Sequence, residues 1–295
     1  MYVLMYKLAL FISILLWPVA ARAQVSFGVF ADVQYYDGPP AGVRHYRQSL
    51  SKLQSCLQQL NRHSRLRLYV GLGDLIDRHL QSYDTVQAIL GHALKPVYHV
   101  VGNHDLDVEP DQRTLVPEKL GLRQTWYTLM EKKWMFIFLN GYDLSFYATD
   151  SAIVRQARHM TEDLKARHQP NYHPWNGAIG MEQQQWLKEQ LVRAEQRGLK
   201  VVLFCHLPLW PHEAHALWNH EEILQTLQPY RCVKAWFNGH NHAGNYGVWE
   251  GIHCVNLKGM VDTPDENAFA TVKLTRKKII MKGYGREPSR RLRLR

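Results

Sequence analysis

The chain of 295 residues carries a net charge of +10, and 46% of its residues are hydrophobic while 21% are charged. This balance is ordinary for a folded globular protein and excludes a mainly disordered chain. The sequence contains no repeat of fixed period, which excludes a solenoid or a propeller. Its one long apolar run lies at the N-terminus, which excludes a protein with several membrane spans.

The N-terminal segment has the pattern of an export signal. Lys7 is followed by a short apolar run from Leu8 to Ala20, and Ala21 and Ala23 are small residues at the positions that a signal peptidase reads. We therefore expect cleavage after Ala23, a mature domain of residues 24–295, no transmembrane segment after cleavage, and a periplasmic or secreted location. The alternative is an uncleaved anchor or a buried first helix.

Strand and helix patterns alternate along the rest of the chain, which indicates one α/β domain. Apolar runs with strand character cover residues 25–31, 66–71, 97–101, 134–140, 200–205, 233–238, 248–256, 268–274 and 279–282. Apolar residues at helical spacing cover about 43–60, 83–94 and 181–196. Residues 149–180 are rich in His, Pro and Asn, and we predict that this long segment is irregular.

Basic residues are concentrated at the C-terminal end, which reads as a basic tail. They are Arg276, Lys277, Lys278, Lys282, Arg286, Arg290, Arg291, Arg293 and Arg295. Such a tail could bind phosphate, nucleic acid or an anionic membrane, although a solvated terminus is the commoner outcome. Because neither interleaved aromatic residues nor a nucleic-acid-binding fold motif accompanies it, we expect no specific nucleic-acid partner.

The four cysteines, Cys56, Cys205, Cys232 and Cys254, allow disulfides in an oxidising compartment. Three of them lie within strand-like apolar runs, where a buried free thiol is the commoner state. The sequence leaves their pairing open, and it leaves the oligomeric state open as well.

Polar side chains follow five of the predicted strands, at the point where each strand ends. They are Asp32 and Gln34; Asp74 and Asp77; Asn103, His104 and Asp105; His206; and His240, Asn241 and His242. Because the ends of several strands meet at one edge of an α/β sheet, we expect these side chains to converge. Carboxylate, amide and imidazole groups together suit Mn, Fe, Zn or Co, so the pattern predicts a metal site.

In this order, the motifs resemble those of calcineurin-like metallophosphoesterases. Within that superfamily, further segments resemble the manganese-dependent ADP-ribose/CDP-alcohol diphosphatases, namely residues 27–35, 46–50, 206–211, 217–219, 255–259 and 282–286. The similarity runs from about Val25 to Pro288. It implies a four-layer α/β/β/α sandwich with two divalent metal ions between its sheets.

The resemblance also implies which residues hold the two ions. Asp32, Gln34, Asp74 and His242 would hold the first, and Asp74, Asn103, His206 and His240 would hold the second. A hydroxide shared by the two ions would attack the diphosphate bond of nucleoside diphosphate-linked compounds. Most superfamily members carry His where this chain has Gln34, and the harder amide oxygen favours Mn²⁺ over Zn²⁺. Iron, cobalt and zinc remain alternatives.

The resemblance places His104 beside the leaving group, where it would donate a proton. Asp105 would orient the other ring nitrogen of His104, unless it only caps a loop. Asp77 has two interpretations, because it would either support a ligand through a hydrogen bond or cap the following helix.

Four residues are predicted, less securely, to contact a small nucleotide substrate. Trp210 and Trp218 could stack on a base and Asn219 could recognise its edge, although Trp218 could equally be a core residue. Arg47, in the first predicted helix, could bind a diphosphate or could lie on a solvated face.

Two alternative functions remain at this point. One is a broader phosphodiesterase or cyclic nucleotide hydrolase, and the other is a non-catalytic metal- or anion-binding protein on the same fold. The complete set of predicted ligands, together with His104, favours an enzyme.

Overall fold

The computed structural model describes residues 24–295 of the chain. The predicted signal peptide covers residues 1–23 and therefore lies outside the described residues. Between residues 24 and 295, no helix has both the length and the apolar character that a membrane span requires.

Twelve strands form two six-stranded sheets. In chain order they are β1 (Val25–Phe30), β2 (Leu68–Gly71), β3 (Val97–His99), β4 (Tyr127–Glu131), β5 (Trp134–Phe138), β6 (Lys200–Phe204), β7 (Val233–Asn238), β8 (Asn245–Trp249), β9 (Ile252–Asn256), β10 (Ala268–Leu274), β11 (Lys278–Gly285) and β12 (Arg290–Arg293). The first sheet has the order β12-β11-β10-β1-β2-β3, and the second has the order β4-β5-β6-β7-β9-β8.

Helices cover the outer face of each sheet. They are α1 (Tyr46–Asn61), α2 (Ser82–Leu90), α3 (Asn103–Leu106), α4 (Val116–Lys119), α5 (Ser151–Ala166), α6 (Met181–Gln196) and α7 (His220–Leu227). Leucines of α1 pack on the first sheet, and leucines of α6 and α7 pack on the second. The helices and the two sheets make four layers, which confirms the predicted α/β/β/α sandwich.

The inner faces of the two sheets form a continuous apolar core. Phe27 of the first sheet lies at its centre and meets Phe136, Phe204 and Phe237 of the second sheet edge-on, with ring centroids 5.4–5.9 Å apart. Edge-to-face rings contribute about 0.5–1.5 kcal/mol per pair beyond the area that they bury. Because both faces of the central strands are covered, these strands are continuously apolar, as the sequence predicted.

The central strands of each sheet run parallel to one another. Strands β1, β2 and β3 are parallel, and so are β5, β6, β7 and β9. The carboxyl ends of these strands therefore meet at one edge of the sandwich, and their amino ends meet at the opposite edge. The polar motifs follow the carboxyl ends, so their position in the sequence brings them together.

Three predictions about local structure are wrong. The segment 149–180 is not irregular throughout, because α5 begins after Asp150, whose Oδ1 accepts a hydrogen bond from the Ala152 amide at 2.7 Å. The predicted strand 248–256 is a hairpin of β8 and β9, and Gly251 in its turn has φ +86°. The basic C-terminal end is not a free tail, because β12 pairs with β11.

All four cysteines are buried free thiols, which confirms the expectation for those in apolar strands. Burial raises the pKa of Cys205 and of Cys254 to about 12, so these thiols stay protonated and unreactive near neutral pH.

Candidate metal centre

Four of the predicted ligands lie on backbone with positive φ, directly after strands. Asp32, Gln34, Asp74 and His240 have φ values of +53°, +44°, +56° and +70°. The left-handed region is unfavourable for residues with a side chain, and such strain concentrates at functional sites. Here the sharp change of direction after each strand aims the side chain between the two sheets.

The carboxylates and imidazoles of the two sheets face one point. His206 Nε2 lies 3.2 Å from Asp74 Oδ2 and 3.9 Å from Asp32 Oδ1, and His242 Nε2 lies 3.6 Å from the same Asp32 oxygen. The donor atoms of Asp74, His206 and His240 all lie within 4.8 Å of one another, as a shared metal site requires. Asp32, Asp74 and His206 are completely buried.

Each of the three imidazoles is oriented by a hydrogen bond from its outer nitrogen. His206 Nδ1 donates to the Leu72 carbonyl at 2.7 Å, and His240 Nε2 donates to Asn176 Oδ1 at 2.9 Å. His242 Nδ1 donates to Asp262 Oδ1 at 2.8 Å. Because the outer nitrogen donates the hydrogen bond, the neutral form of each ring has its lone pair on the inner nitrogen, where it can bind a metal ion.

The two amides complete the donor set. Gln34 Nε2 donates to Asp74 Oδ2 at 3.1 Å, and within residues 24–295 its Oε1 is buried without a hydrogen-bond partner. His206 Nε2 is a second buried polar atom without such a partner in the same part of the chain. Asn103 Oδ1 accepts a hydrogen bond from the Tyr142 hydroxyl at 3.1 Å. A buried polar atom without a partner destabilises the fold. The unpaired Gln34 Oε1 and His206 Nε2 are therefore consistent with a site that binds cations.

Two glycines leave room for the carboxylates. A Cβ atom on Gly102 would lie 2.0 Å from Asp74 Oδ1, and one on Gly239 would lie 2.6 Å from Asp32 Oδ2. Any other residue would displace a predicted ligand, which gives a physical reason for the glycine in the Gly102-Asn103-His104 and Gly239-His240-Asn241 motifs.

The buried charges influence one another strongly. Burial raises the pKa of Asp32, whereas the charges of His206 and His104 outweigh burial at Asp74 and lower its pKa. Burial opposes protonation of His206, but Asp74 raises the pKa of this imidazole to about 9. The carboxylates of Asp32 and Asp74 thus need nearby positive charge to stay ionised. Divalent cations bound between them would supply that charge.

His104 is oriented by Asp77 and not by Asp105. His104 Nδ1 lies 3.0 Å from Asp77 Oδ1, and its side chain is 14% exposed. Burial lowers the pKa of His104, but the charges of Asp74 and Asp77, together with the Asp77 hydrogen bond, raise it above its ordinary value. Asp77 therefore supports His104, which is not a predicted ligand, and the helix that follows Asp77 is preceded by Gln81, so neither interpretation of Asp77 holds as stated.

Asp105 binds backbone amides instead, so the prediction that Asp105 orients the ring of His104 is wrong. Its carboxylate accepts hydrogen bonds from the amides of Asp74, Leu75 and Gly102 at 2.8–2.9 Å and from the Tyr83 hydroxyl at 2.9 Å. These contacts fix the turn that presents Asp74. Asp105 stands only one residue from His104, but α3 directs its side chain away from that ring.

A cavity of about 380 Å³ opens over these residues. Besides the predicted ligands and His104, it is lined by Arg44, Asp107, Tyr147, Trp175 and His215. Trp175 is 40% exposed, and His173 stacks on it with ring centroids 4.1 Å apart and an interplanar angle of 8°. The cavity thus combines donor groups for metals, a cation and a rigid aromatic face.

The four predicted substrate contacts lie outside this cavity. Arg47 is exposed and pairs with Asp37 at 2.6 Å, and Trp210 packs on the apolar layer outside the second sheet. Trp218 is a core residue, 2% exposed, whose indole N–H donates to the His173 carbonyl at 3.1 Å. Asn219 is occupied by hydrogen bonds to the backbone of Ile179. Burial and internal pairing therefore correct the predictions for Trp218 and Asn219.

Two residues that sequence reasoning missed line the cavity, Tyr147 and Trp175. Trp175 lies in the His-, Pro- and Asn-rich segment that we predicted as irregular. Aromatic residues in a long segment without periodicity are a signal for a binding loop, and that signal was available in the sequence.

Comparisons with known proteins agree with this geometry. The family model described as "Calcineurin-like phosphoesterase" matches residues 25–244. A mouse protein named manganese-dependent ADP-ribose/CDP-alcohol diphosphatase is 30% identical over 92% of this chain and 94% of its own length. The human protein of the same name is 31% identical over 90% of this chain and 91% of its own length.

Solved structures show the same fold. The crystal structure of a dimetal phosphatase from Danio rerio superimposes with a TM-score of 0.81, at 26% identity, over 92% of this chain and 99% of that chain. A structure described as GAP50, the anchor in the inner membrane complex of Plasmodium, has a TM-score of 0.58 at 14% identity and shares the fold alone.

Proposed function

The chain belongs to the calcineurin-like phosphoesterases and is a metal-dependent phosphohydrolase, and from this we propose that it cleaves the diphosphate bond of ADP-ribose and CDP-alcohols. Relatives named for that activity match it over about nine-tenths of both lengths. The observation that carries the proposal is the assembled donor set of Asp32, Gln34, Asp74, Asn103 and the three imidazoles beside one cavity.

We propose manganese as the metal. Asp32, Gln34, Asp74 and His242 would hold one ion, and Asp74, Asn103, His206 and His240 would hold the other. The amide end of Gln34 lies against Asp74 Oδ2 at 3.1 Å and His242 Nε2 at 3.0 Å, two other ligands of the first ion, and the inner nitrogens of the imidazoles fit this arrangement. Amide and carboxylate oxygens outnumber nitrogens in the set, which favours the harder Mn²⁺ over Zn²⁺. Bound divalent ions supply Lewis-acid polarisation of phosphoryl oxygens and acidify water.

His104 acts on the leaving group in this proposal. Asp77 binds Nδ1 at 3.0 Å, so Nε2 is left to donate a proton in the cavity. The departing phosphate oxygen accepts that proton as the P–O–P bond breaks. Proton donation of this kind contributes about 10²–10⁴ in rate.

Trp175 and Arg44 would bind the rest of the substrate. The exposed face of Trp175 is large enough for a nucleobase, and its partner His173 holds the indole in place. Arg44, which also lines the cavity, carries a charge that diphosphate oxygens attract. The cavity thus offers Trp175 and Arg44 as substrate contacts in place of Arg47, Trp210, Trp218 and Asn219.

A substrate panel tests the proposal. The metal-free protein should be inactive, and Mn²⁺ should restore hydrolysis of ADP-ribose and CDP-choline more than Zn²⁺ does. Each diphosphate should yield two phosphomonoesters, which alkaline phosphatase converts to measurable phosphate. Faster turnover of cyclic nucleotides than of either diphosphate would favour the broader phosphodiesterase. Full activity in excess chelator, with metal shown to be absent by mass spectrometry, would contradict the two-metal assignment.

We also propose that the protein is exported and that cleavage after Ala23 releases it. The support is the sequence pattern of Lys7, the apolar run and the small residues before the cleavage point. N-terminal sequencing of the protein from fractionated cells tests this proposal. A chain that begins at Gln24 outside the cytoplasm is the expected result, and an intact N-terminus in the cytoplasm would contradict it.

A further inference from the structure

The edge of the sandwich opposite to the metal centre is densely cationic. The amino ends of the parallel strands, and the turns that precede them, lie there. We call this surface the basal edge and define it by Arg65, Arg67, Lys95, Lys132, Lys133, Lys200, Arg231, Lys234, Lys273, Arg276, Lys277 and Lys278. These residues come from six separate stretches of the chain, so the sequence alone did not reveal the cluster.

Contacts between the two sheets join these cations into one surface. Lys132 Nζ, beside the second sheet, donates to the Gln24 carbonyl at the start of the first at 2.9 Å. Lys200 Nζ, in the second sheet, donates to the Arg276 carbonyl in the turn between β10 and β11. The basal edge therefore runs across both sheets.

Little negative charge offsets the basal edge. Among residues 24–295, the one Asp or Glu within 4.0 Å of its cations is Glu131, 3.5 Å from Arg67, and Lys234 Nζ donates to an oxygen of Arg295 at 2.9 Å. Glu250, in the turn before β9, also lies on this edge. Glu195, also on this edge, is occupied by the Cys232 amide. Burial and the charges of Lys234 and Arg276 lower the pKa of Lys200. The fold thus holds like charges close together at a surface that plays no part in the proposed reaction.

The basal edge also has a recess and an apolar point. Five of its cations line a cavity of about 510 Å³, namely Arg65, Arg67, Lys95, Lys132 and Lys273. Next to Lys95, the side chain of Leu94 is 71% exposed. A recess lined with cations suits a phosphate group, and an exposed leucine adjacent in the chain to one of those cations suits a hydrocarbon layer behind that phosphate.

We propose that the basal edge docks on the surface of an anionic phospholipid bilayer. The cations meet lipid phosphates, Leu94 enters the interface, and the metal centre at the opposite edge stays open to solution. Each Lys or Arg near such a surface strengthens binding about five-fold, and the attraction decays over about 8 Å at physiological salt. Nucleic acid would satisfy the cations, but it offers no apolar layer for Leu94.

Vesicle co-sedimentation of the full chain tests the proposal. One variant combines Arg65→Gln, Lys133→Gln and Lys277→Gln on the basal edge. A matched control combines Arg158→Gln, Lys165→Gln and Lys188→Gln, which are exposed cations on α5 and α6. Vesicles contain phosphatidylcholine either alone or with 30% phosphatidylglycerol. All three proteins share residues 1–23, so any contribution of that segment, including the charges of Lys7 and Arg22, is common to them and cancels when the variants are compared.

We expect wild type and control to bind the anionic vesicles, and the basal variant to bind on the order of 100-fold more weakly, since three cations are lost. Diphosphate hydrolysis in solution should be equal in all three proteins, which separates this proposal from the proposed function. Leu94→Gln should weaken vesicle binding several-fold without affecting binding to a DNA duplex. Equal binding to neutral and anionic vesicles, equal loss in both triple variants, or tighter binding to the duplex than to the vesicles would overturn the proposal.

Discussion

Replacement of Asp77 by Asn tests how His104 is prepared for proton donation. The Asp77 carboxylate is 1% exposed and lies 3.0 Å from His104 Nδ1, so solvent screens this pair weakly. An asparagine oxygen can still accept the hydrogen bond, but the negative charge is lost. Hydrogen bonds to charged groups contribute about 1.5–3 kcal/mol and neutral ones about 0.5–1.5 kcal/mol. Loss of the charge alone therefore costs about 1–1.5 kcal/mol, which corresponds to a loss of about 5- to 13-fold in kcat.

The same variant changes the pH dependence in a defined direction. In the wild type, the charges of Asp74 and Asp77 overcome burial and raise the pKa of His104. The proton needed for the leaving group is present below that pKa and is lost above it. Asp77→Asn removes one of these two negative charges and therefore lowers the pKa of His104. The alkaline limb of the kcat profile should therefore move to lower pH.

The assay compares two substrates and one control variant. An alkyl phosphodiester of a nucleotide expels an alkoxide, which needs a proton, whereas a 4-nitrophenyl phosphodiester of the same nucleotide expels a weakly basic phenolate, which does not. The loss in Asp77→Asn should be large for the first substrate and small for the second, with metal content unchanged. Asp84→Asn, which alters only an exposed pair with Lys119, should behave like wild type. An equal loss for both substrates, or a loss of bound metal, would refute the reasoning.

Three further substitutions test other parts of the site. Gln34→His should improve Zn²⁺ binding and narrow the Mn²⁺ advantage, because an imidazole replaces an oxygen donor; unchanged affinities in metal titrations would show that Gln34 is no ligand. Trp175→Ala should raise KM for ADP-ribose about 5- to 150-fold, with little change for an alkyl diphosphate that lacks a base. Trp218→Ala should lower the free energy of unfolding by about 3–5 kcal/mol in urea denaturation, and a raised KM at unchanged stability would restore it as a substrate contact.

The sequence was sufficient to predict the fold class and to name the side chains that the structure brings together at the candidate metal centre. Each predicted ligand directly follows a buried apolar strand, and parallel strands bring their carboxyl ends to one edge. The position of each ligand directly after a strand was therefore enough to predict that the ligands lie close together. The helix of residues 181–196 and the strand of residues 233–238 were predicted with the bounds that the structure has, because apolar periodicity and a following turn define both.

Only the tertiary structure decided which groups act on one another across the fold. Asp105 is the nearer acid to His104 in the sequence, but the short α3 turns its carboxylate to the amides around Asp74 and leaves His104 to Asp77, 27 residues away. Trp218 and Trp175 are alike as residues, and only packing shows that one fills the core while the other faces the cavity.

The basal edge shows the same division between sequence and structure. The sequence gives a net charge of +10, and the basic residues that are close together along the chain led us to predict a basic C-terminal tail. Folding pairs β12 with β11 and brings cations from both sheets to the amino ends of the parallel strands. Strand direction is a property of the whole sheet, so the position of this surface, opposite to the metal centre, could be seen only after the sheets were assembled.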